Sequence, residues 1–433
     1  MRRRGPLATL ALLLASCGAA TDEGPVVALT GATVLDPATS RTLPDAVILI
    51  RAGHIVAVGD RDRVRIPRRA QEVALQGQWI IPGLIDLHAA LEPWGRTLAA
   101  QWGVTATRDL VTHAGAASPE PMATRQFASV LVDGTPATQP EAHRHLDSAA
   151  TDAYLRAAAA SGVRGVHFTA TVGAEAMAQV VRLARAHGLA VSADLGVTDA
   201  MTAAQLGVAA LSRLDGIPAA VGLLGAVAAA VRDEPHAGLA VMERAWLDAD
   251  PVALEQLAAE LASIGVTLVP TLAWHEMLSR LDDSTLATRR DLSLVPAAIR
   301  AAWPTAWHRA LGWDAGTMAD LRLARRGQDR FLMHFLAAGG RVATGSGAGL
   351  PYLVPGPGIH EELALLVQAG LSPWQALAAA TVRGAELLRA DSLGRIHEGA
   401  AADLVVLDGD PLRDIRNTRR IARVMLAGEW VRR

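Results

Sequence analysis

Lysine is missing from this sequence of 433 residues, so all 41 of its basic side chains are arginine. No lysine can therefore act as a base, form a Schiff base or bridge two metal ions. Cysteine occurs once, at Cys17, which excludes an internal disulfide. Aromatic residues make up 4% of the chain. No segment beyond the N-terminal stretch is apolar for long enough to cross a bilayer. Neither sign of charge dominates, and a formal net charge of -2 gives no electrostatic reason to expect nucleic acid as a partner. The sequence also contains neither a Walker-type phosphate loop nor a dinucleotide fingerprint. Its densest basic run, Arg61 to Arg69, reads as a solvated sheet edge. What remains is 51% hydrophobic, ample for one large barrel domain with a companion.

The N-terminus has the form of a processing signal. Arg2, Arg3 and Arg4 precede an apolar stretch from Leu7 to Ala15 that is too short to span a membrane as a mature helix. It ends in Leu14-Ala15-Ser16-Cys17, which resembles a bacterial lipobox, where cleavage precedes a cysteine that then carries lipid. Residues 1–17 are thus expected to be a lipoprotein signal peptide and 18–25 a polar linker. The expected product is an exported lipoprotein anchored through Cys17 in the bacterial cell envelope.

From Val26 to Gln76 short alternating strands are separated by turns at Asp36-Pro37, Arg51-Ala52-Gly53 and Gly59-Asp60. The last forty residues return to that texture in ADLVVLDGD and ARVMLAGEWV. Segments 26–80 and 395–433 are therefore expected to build one small β-sandwich from both ends of the chain. Between them, residues 81–394 alternate strand-like runs with amphipathic helices, the pattern of a (β/α)8 TIM-like barrel in the α/β class. Eight runs qualify as strands: WIIPGLIDLH, GVTATRDL, ASVLVDG, GVRGVHFTA, LAVSADL, VAALSRL, GVTLVPTLA and RVATGSG. A late helix should begin at Ser372-Pro373, with serine as N-cap and proline in the first turn.

Several strings carry a resemblance. They are Gly53-His54-Ile55-Val56-Ala57-Val58-Gly59, Pro82-Gly83-Leu84-Ile85-Asp86-Leu87-His88, and Gly103-Val104-Thr105 running into Arg108-Asp109. Downstream come Leu268-Val269-Pro270-Thr271-Leu272, His360-Glu361-Glu362-Leu363 and Ala402-Asp403-Leu404-Val405-Val406-Leu407-Asp408-Gly409-Asp410-Pro411. From about Val26 to Val431 the chain resembles the amidohydrolase superfamily, near its imidazolonepropionase-like and prolidase-like branch. The resemblance implies one or two divalent metals at the C-terminal mouth of the barrel, which activate a water and polarise a carbonyl or imine. It also implies an aspartate proton shuttle on strand eight, and substrates such as cyclic amides and dipeptides. Relatives often form homodimers.

The site residues depart from that pattern. Strand one should end in His-X-His, where residues two apart share a face, but the chain reads His88-Ala89-Ala90. The strand-four position of a carboxylated lysine falls on His167. Asp194 and Arg213 stand where strands five and six should supply histidines. The shuttle position is Gly347, within Gly345-Ser346-Gly347-Ala348-Gly349. Sliding the alignment does not restore the set. No histidine lies between His187 and His236, and no aspartate between Asp329 and Asp391. Of these six positions, His88 alone keeps its family residue, and a guanidinium at 213 repels a divalent cation.

Two readings follow. In the first, the barrel is a metal-free pseudoenzyme that needs no cofactor and binds a small molecule or peptide, with an Asp194–Arg213 salt bridge in the former metal pocket. In the alternative, His88, His167 and Asp194 form a remodelled site for one zinc or iron and support hydrolysis of a cyclic amide or dipeptide bond. Ser346 lacks the elbow and base of a serine nucleophile. Trp274, His275, Ser346 and Tyr352 are pocket candidates, with Trp303, Trp307, His308 and Trp313 as a cap over the mouth or as helix packing. The Glu361 and Glu362 carboxylates, in a helix opening at His360, suit a positive helix terminus. His143 and His145 read as solvated linker residues.

Overall fold

The computed structural model describes residues 24–110, 123–133, 148–233, 235–304 and 306–432. Cys17, the signal and most of the linker, together with His143 and His145, lie outside the described residues. The first strands are β1 (Val27–Asp36), β2 (Arg41–Arg51), β3 (His54–Asp60), β4 (Gln71–Ala74) and β5 (Trp79–Pro82). Strands β1, β2 and β3 pair antiparallel in succession. Side chains along β2 alternate between two apolar clusters: Ile48 and Ile50 pack with Leu29, Val34 and Ile80, whereas Val47 and Leu49 pack with Val26 and Ala28. That two-residue period is what a strand buried on both faces requires. The basic run 61–69 is an exposed turn segment leaving β3, which is an edge strand.

The barrel follows, with β6 (Leu84–Ala89), β7 (Val104–Asp109), β8 (Arg125–Val132), β9 (Gly165–Phe168), β10 (Ala190–Asp194), β11 (Ala210–Ser212), β12 (Thr267–Val269) and β13 (Arg341–Val342). Each strand lies parallel to the next in chain order. All eight expected runs supply one. The ring closes between its first and last strands, because Leu87 N–H donates to Thr344 O at 2.9 Å and Gly347 N–H to His88 O at 2.8 Å. Leu87, Ala106, Ala210, Val269 and Ala343, from five places around the ring, pack into one apolar group. A larger cluster fills the space between strands and helices, with Phe168, Met177, Leu211, Leu261, Leu268, Phe331 and Phe335 in its centre.

The chain then returns to the first sheet through β14 (Leu404–Leu407), β15 (Ile421–Leu426) and β16 (Glu429–Trp430). Antiparallel pairing of β14 with β5, Leu404 opposite Pro82 and Val406 opposite Ile80, joins the two ends of the sequence. The sheet thus extends to Pro82, two residues beyond the expected boundary at 80, and the run WIIPGLIDLH divides into β5 and β6. Gly83 marks the division: a Cβ there would sit 2.1 Å from Thr105 Oγ1, so only glycine lets the chain cross into the barrel. The expected helix at 372–373 is Pro373–Ala379, opened by a full capping box between Ser372 and Gln375.

Arg125 on β8 donates two bonds to Asp403, at 2.9 and 3.0 Å, and ties the barrel to the second sheet. The Asp403 side chain is buried, and Ala427 N–H also donates to it at 2.7 Å. Replacing Asp403 by alanine strands both donors. Because Arg125 is 37% exposed, the expected loss is about 1–3 kcal/mol, less than for a fully buried pair. Urea unfolding of Asp403→Ala beside the parent chain measures it, and an unchanged midpoint would remove the pair from the account of the junction.

Candidate functional site

Parallel strands end together, so residues finishing different strands meet at one mouth. His88 comes from β6, His167 from β9, Asp194 from the last position of β10, and Arg213 from the residue after β11. His167 Nε2 lies 3.4 Å and His88 Nδ1 3.8 Å from Asp194 Oδ1, and the two imidazole rings meet edge-on with centroids 5.6 Å apart. Arg213 Nε lies 3.6 Å from Asp194 Oδ2, and its Nη1 lies 3.7 Å from Asp215 Oδ2. The expected Asp194–Arg213 ion pair is therefore formed. Trp274 carries the guanidinium on its face, with Cζ 4.8 Å from the ring centroid.

Burial raises the pKa of Asp194, but Arg213, His88 and His167 together outweigh it, Arg213 most of the three, and hold the carboxyl well below the usual range, so it is ionised. Burial lowers both His88 and His167, with Asp194 opposing, so their rings are neutral at neutral pH. Arg213 also settles which nitrogen of His88 carries the proton. Its Nε–H donates to His88 Nε2 at 3.4 Å, which requires a lone pair there. The proton then sits on Nδ1, which is buried without a hydrogen-bond partner and faces Asp194 Oδ1 at 3.8 Å.

The two-metal arrangement that the sequence resemblance implies does not fit these residues. Ala90 offers no ligand atom, Arg213 is a cation, and Gly347 has a backbone φ of 69°. A side chain at 347 would meet Leu353 at 2.9 Å, so the expected shuttle position is committed to glycine. A single ion fits no better while Arg213 stands in place. His88 has given its one lone pair to the guanidinium, which leaves His167 and Asp194, one ligand short of the usual three. No step through a metal is derived for this chain.

A second group lies behind the first. His275 Nδ1 is 2.5 Å from Glu243 Oε1 and 3.6 Å from Asp215 Oδ1, and Gln328 Nε2 donates to Glu243 Oε2 at 2.8 Å. All four side chains are buried. Leu214 N–H donates to His275 Nε2 at 3.1 Å, so Nδ1 carries the proton and passes it toward Glu243. This is a hydrogen-bonded relay whose output is the backbone beside Arg213, a residue held at φ 57°. Glu243 and Gln328 were not among the sequence candidates. The signal for Gln328 is its phase, since it falls in the buried stripe of Leu321, Ala324, Phe331 and Phe335 on helix Ala315–Ala337.

The pocket candidates separate. Trp274 lies under Arg213, with Trp307 edge-on to it at 6.4 Å, and half-buried Tyr352 meets Trp303 at 5.4 Å. His275 belongs to the buried relay. Ser346 is buried, donates its hydroxyl to Asp86 Oδ2 and accepts from Ala348 N–H at 3.1 Å. Asp86 accepts from Ser346 N–H at 2.9 Å as well, and burial pushes its pKa up to about 6 against those bonds. Arg108 reaches into the barrel to Ser212 Oγ at 3.0 Å, and burial lowers its pKa to about 10.

The helix expected to open at His360 begins earlier, as Pro357–Gln368, because proline sets the first turn. Glu362 therefore serves a different helix end from the expected one. It accepts from Ala273 N–H at 2.8 Å, in the first turn of helix Leu272–Ser279, which carries Trp274 and His275. Glu361 instead pairs with Arg289 at 2.9 Å, and His360 bonds Thr418 and the Trp102 carbonyl.

Residues 334–431 match the model of the amidohydrolase family. A bottromycin amidohydrolase structure is similar with 22% identity and a TM-score of 0.69, over 94% of this chain and 87% of that one. A putative prolidase from Bifidobacterium longum is 20% identical with a TM-score of 0.63, over 94% and 95%. A Xaa-Pro dipeptidase structure is 16% identical with a TM-score of 0.65, over 94% and 99%. No curated protein matches the chain. The fold defines a TIM-like barrel with a companion sheet drawn from both termini. The family match is confined to residues 334–431, and the similar structures, all under 25% identical, show the barrel fold that this match shares.

Burial pushes the pKa of Glu362 up to about 7 from an ordinary 4.5. Between those values the folded chain keeps a proton that the unfolded chain has released. Stability from this group therefore falls as pH rises through the window, by up to ~3 kcal/mol. Glu362→Gln retains an acceptor for Ala273 N–H and removes the titration. Asp86 and Asp215, each raised to about 6, titrate in the same direction and remain. Urea unfolding at about pH 5 and about pH 8 should show a smaller drop in the variant than in the parent chain. Equal drops would place the Glu362 titration outside this window.

Proposed function

We propose that the chain is a metal-independent member of the amidohydrolase superfamily: an exported lipoprotein whose barrel mouth binds a small molecule or a peptide without cleaving it through metal-activated water. The observation that carries this reading is the Nε–H of Arg213 on the His88 lone pair, with Asp194 already neutralised by the same guanidinium. The Nδ1–H of His88, buried without a hydrogen-bond partner, is a donor that a ligand at the mouth would satisfy. Trp274 and Trp307 add apolar surface beside them.

A second reading rests on a specific observation too. His88, His167 and Asp194 each offer one ligand atom within 4.8 Å of the others. With that set, a single zinc or iron would support hydrolysis of a cyclic amide or dipeptide bond, and one of the similar structures is named as a Xaa-Pro dipeptidase.

Metal content separates the two. The chain without its signal, expressed with added zinc and iron and purified without a histidine tag, should carry less than about a tenth of an equivalent of any transition metal, since working sites copurify filled. Close to one equivalent, lost in His167→Ala, would replace the first reading by the second. For the anchor, Cys17→Ser in the full chain should move the protein from the membrane fraction to the soluble exported fraction. Retention in the membrane fraction would exclude lipid on Cys17 as the anchor.

A further inference from the structure

Resting on the metal-independent reading, we propose that Arg213 masks a latent site for a divalent cation formed by His88, His167 and Asp194. The guanidinium is the element that closes it. Ligand atoms on a tetrahedral ion at ~2.0–2.1 Å stand roughly 3.3 Å apart. His167 Nε2 and His88 Nδ1 lie 3.4 and 3.8 Å from Asp194 Oδ1, close to that spacing, and the three residues offer ligand atoms within 4.8 Å of one another. His167 is also oriented as a ligand would be. Its Nδ1 meets Ser192 Oγ at 2.9 Å, and that hydroxyl faces the Val166 carbonyl at 3.4 Å. Without an ion, Nε2–H faces the Asp194 carboxylate. An ion at the site would select the other tautomer, with Nδ1–H donating to Ser192, Ser192 donating to the carbonyl, and the Nε2 lone pair free for the ion. Such an outer hydrogen bond is the usual support of a metal-bound imidazole.

Two obstacles remain, and both are Arg213. Its charge lies next to Asp194 Oδ2, and its Nε–H binds the Nε2 lone pair of His88, which leaves the proton on Nδ1, the atom facing the site. Without the guanidinium, His88 can take its proton on Nε2 and present Nδ1. Two imidazoles and a carboxylate with one open position are a zinc-type donor set. The side chain does not leave of its own accord. Arg213 N–H is bonded to Val269 O at 2.9 Å, the next N–H is held by His275, and the guanidinium rests on Trp274.

The test compares the unsubstituted chain with Arg213→Ala and Arg213→Gln after dialysis against zinc, with bound metal counted by mass spectrometry. The expected result is about one equivalent in both variants and below about a tenth in the unsubstituted chain, a gain of at least tenfold. The gain should vanish when His167→Ala is added to Arg213→Ala. Removing Arg213 leaves Asp194 and Asp215 without their cation, so thermal unfolding is followed with and without zinc. A variant that zinc fills or refolds supports the latent site. A folded variant that stays empty, or variants that zinc neither fills nor refolds, overturn it. One equivalent in the unsubstituted chain would instead overturn the metal-independent reading on which the proposal stands.

Discussion

At the mouth of the barrel one guanidinium meets two carboxylates, an imidazole and an indole face: Asp194, Asp215, His88 and Trp274. A buried carboxylate without a partner costs several kcal/mol, and two lie within reach here. Arg213 supplies the nearest full positive charge to Asp194 and, with His275, opposes the effect of burial on Asp215. It differs from a metal ion in a decisive respect, because it engages each lone pair through a separate, directed N–H donor, whereas a metal draws several lone pairs onto one centre. Everything else at the mouth is arranged around that exchange. His88 is locked in one tautomer, His167 keeps its partner in Ser192, and the strand-eight position that would hold a shuttle carboxylate is a glycine against Leu353.

The surroundings keep the guanidinium where it is. Polar groups buried in the barrel wall are joined across elements: Asp86 to Ser346, Glu362 to Ala273, and His275 to Glu243, Gln328 and the Leu214 amide. Each bond fastens the end of a strand or the start of a helix that lines the mouth. Because the interior dielectric is low, a half-satisfied network would be worse than an apolar one. The relay behind Arg213 therefore works as a frame as well as a set of contacts, and it explains how a non-glycine residue stays at a positive φ at the end of β11.

Much of this was legible in advance. The alternation of strands and helices supplied all eight barrel strands, because a parallel sheet covered by helices has a hydrophobic period that few other folds share. Ser372-Pro373 opened a helix where capping chemistry says it should. The Asp194–Arg213 pair was also readable, since neighbouring strand ends must meet. Less accessible were the roles of Glu362 and His275. Glu362 caps a helix eighty-nine positions away in the chain rather than its own, and nothing in a local pattern records which helix end it will face. Gln328 and Glu243 stand in helices whose buried stripes are otherwise apolar, a phase signal visible only once those helices are drawn.

The sequence by itself determined what the site cannot be. With no lysine, no histidine from 188 to 235 and no aspartate from 330 to 390, the metal set that the resemblance implies cannot be placed on this chain in any register, because composition needs no geometry. Only the tertiary structure decided what replaced it. Arg213 and His88 are 125 positions apart, yet the 3.4 Å between their nitrogens sets where one proton sits. Hydrogen bonds depend on distance and direction within tenths of an ångström, and those are properties of a closed barrel rather than of a string of residues.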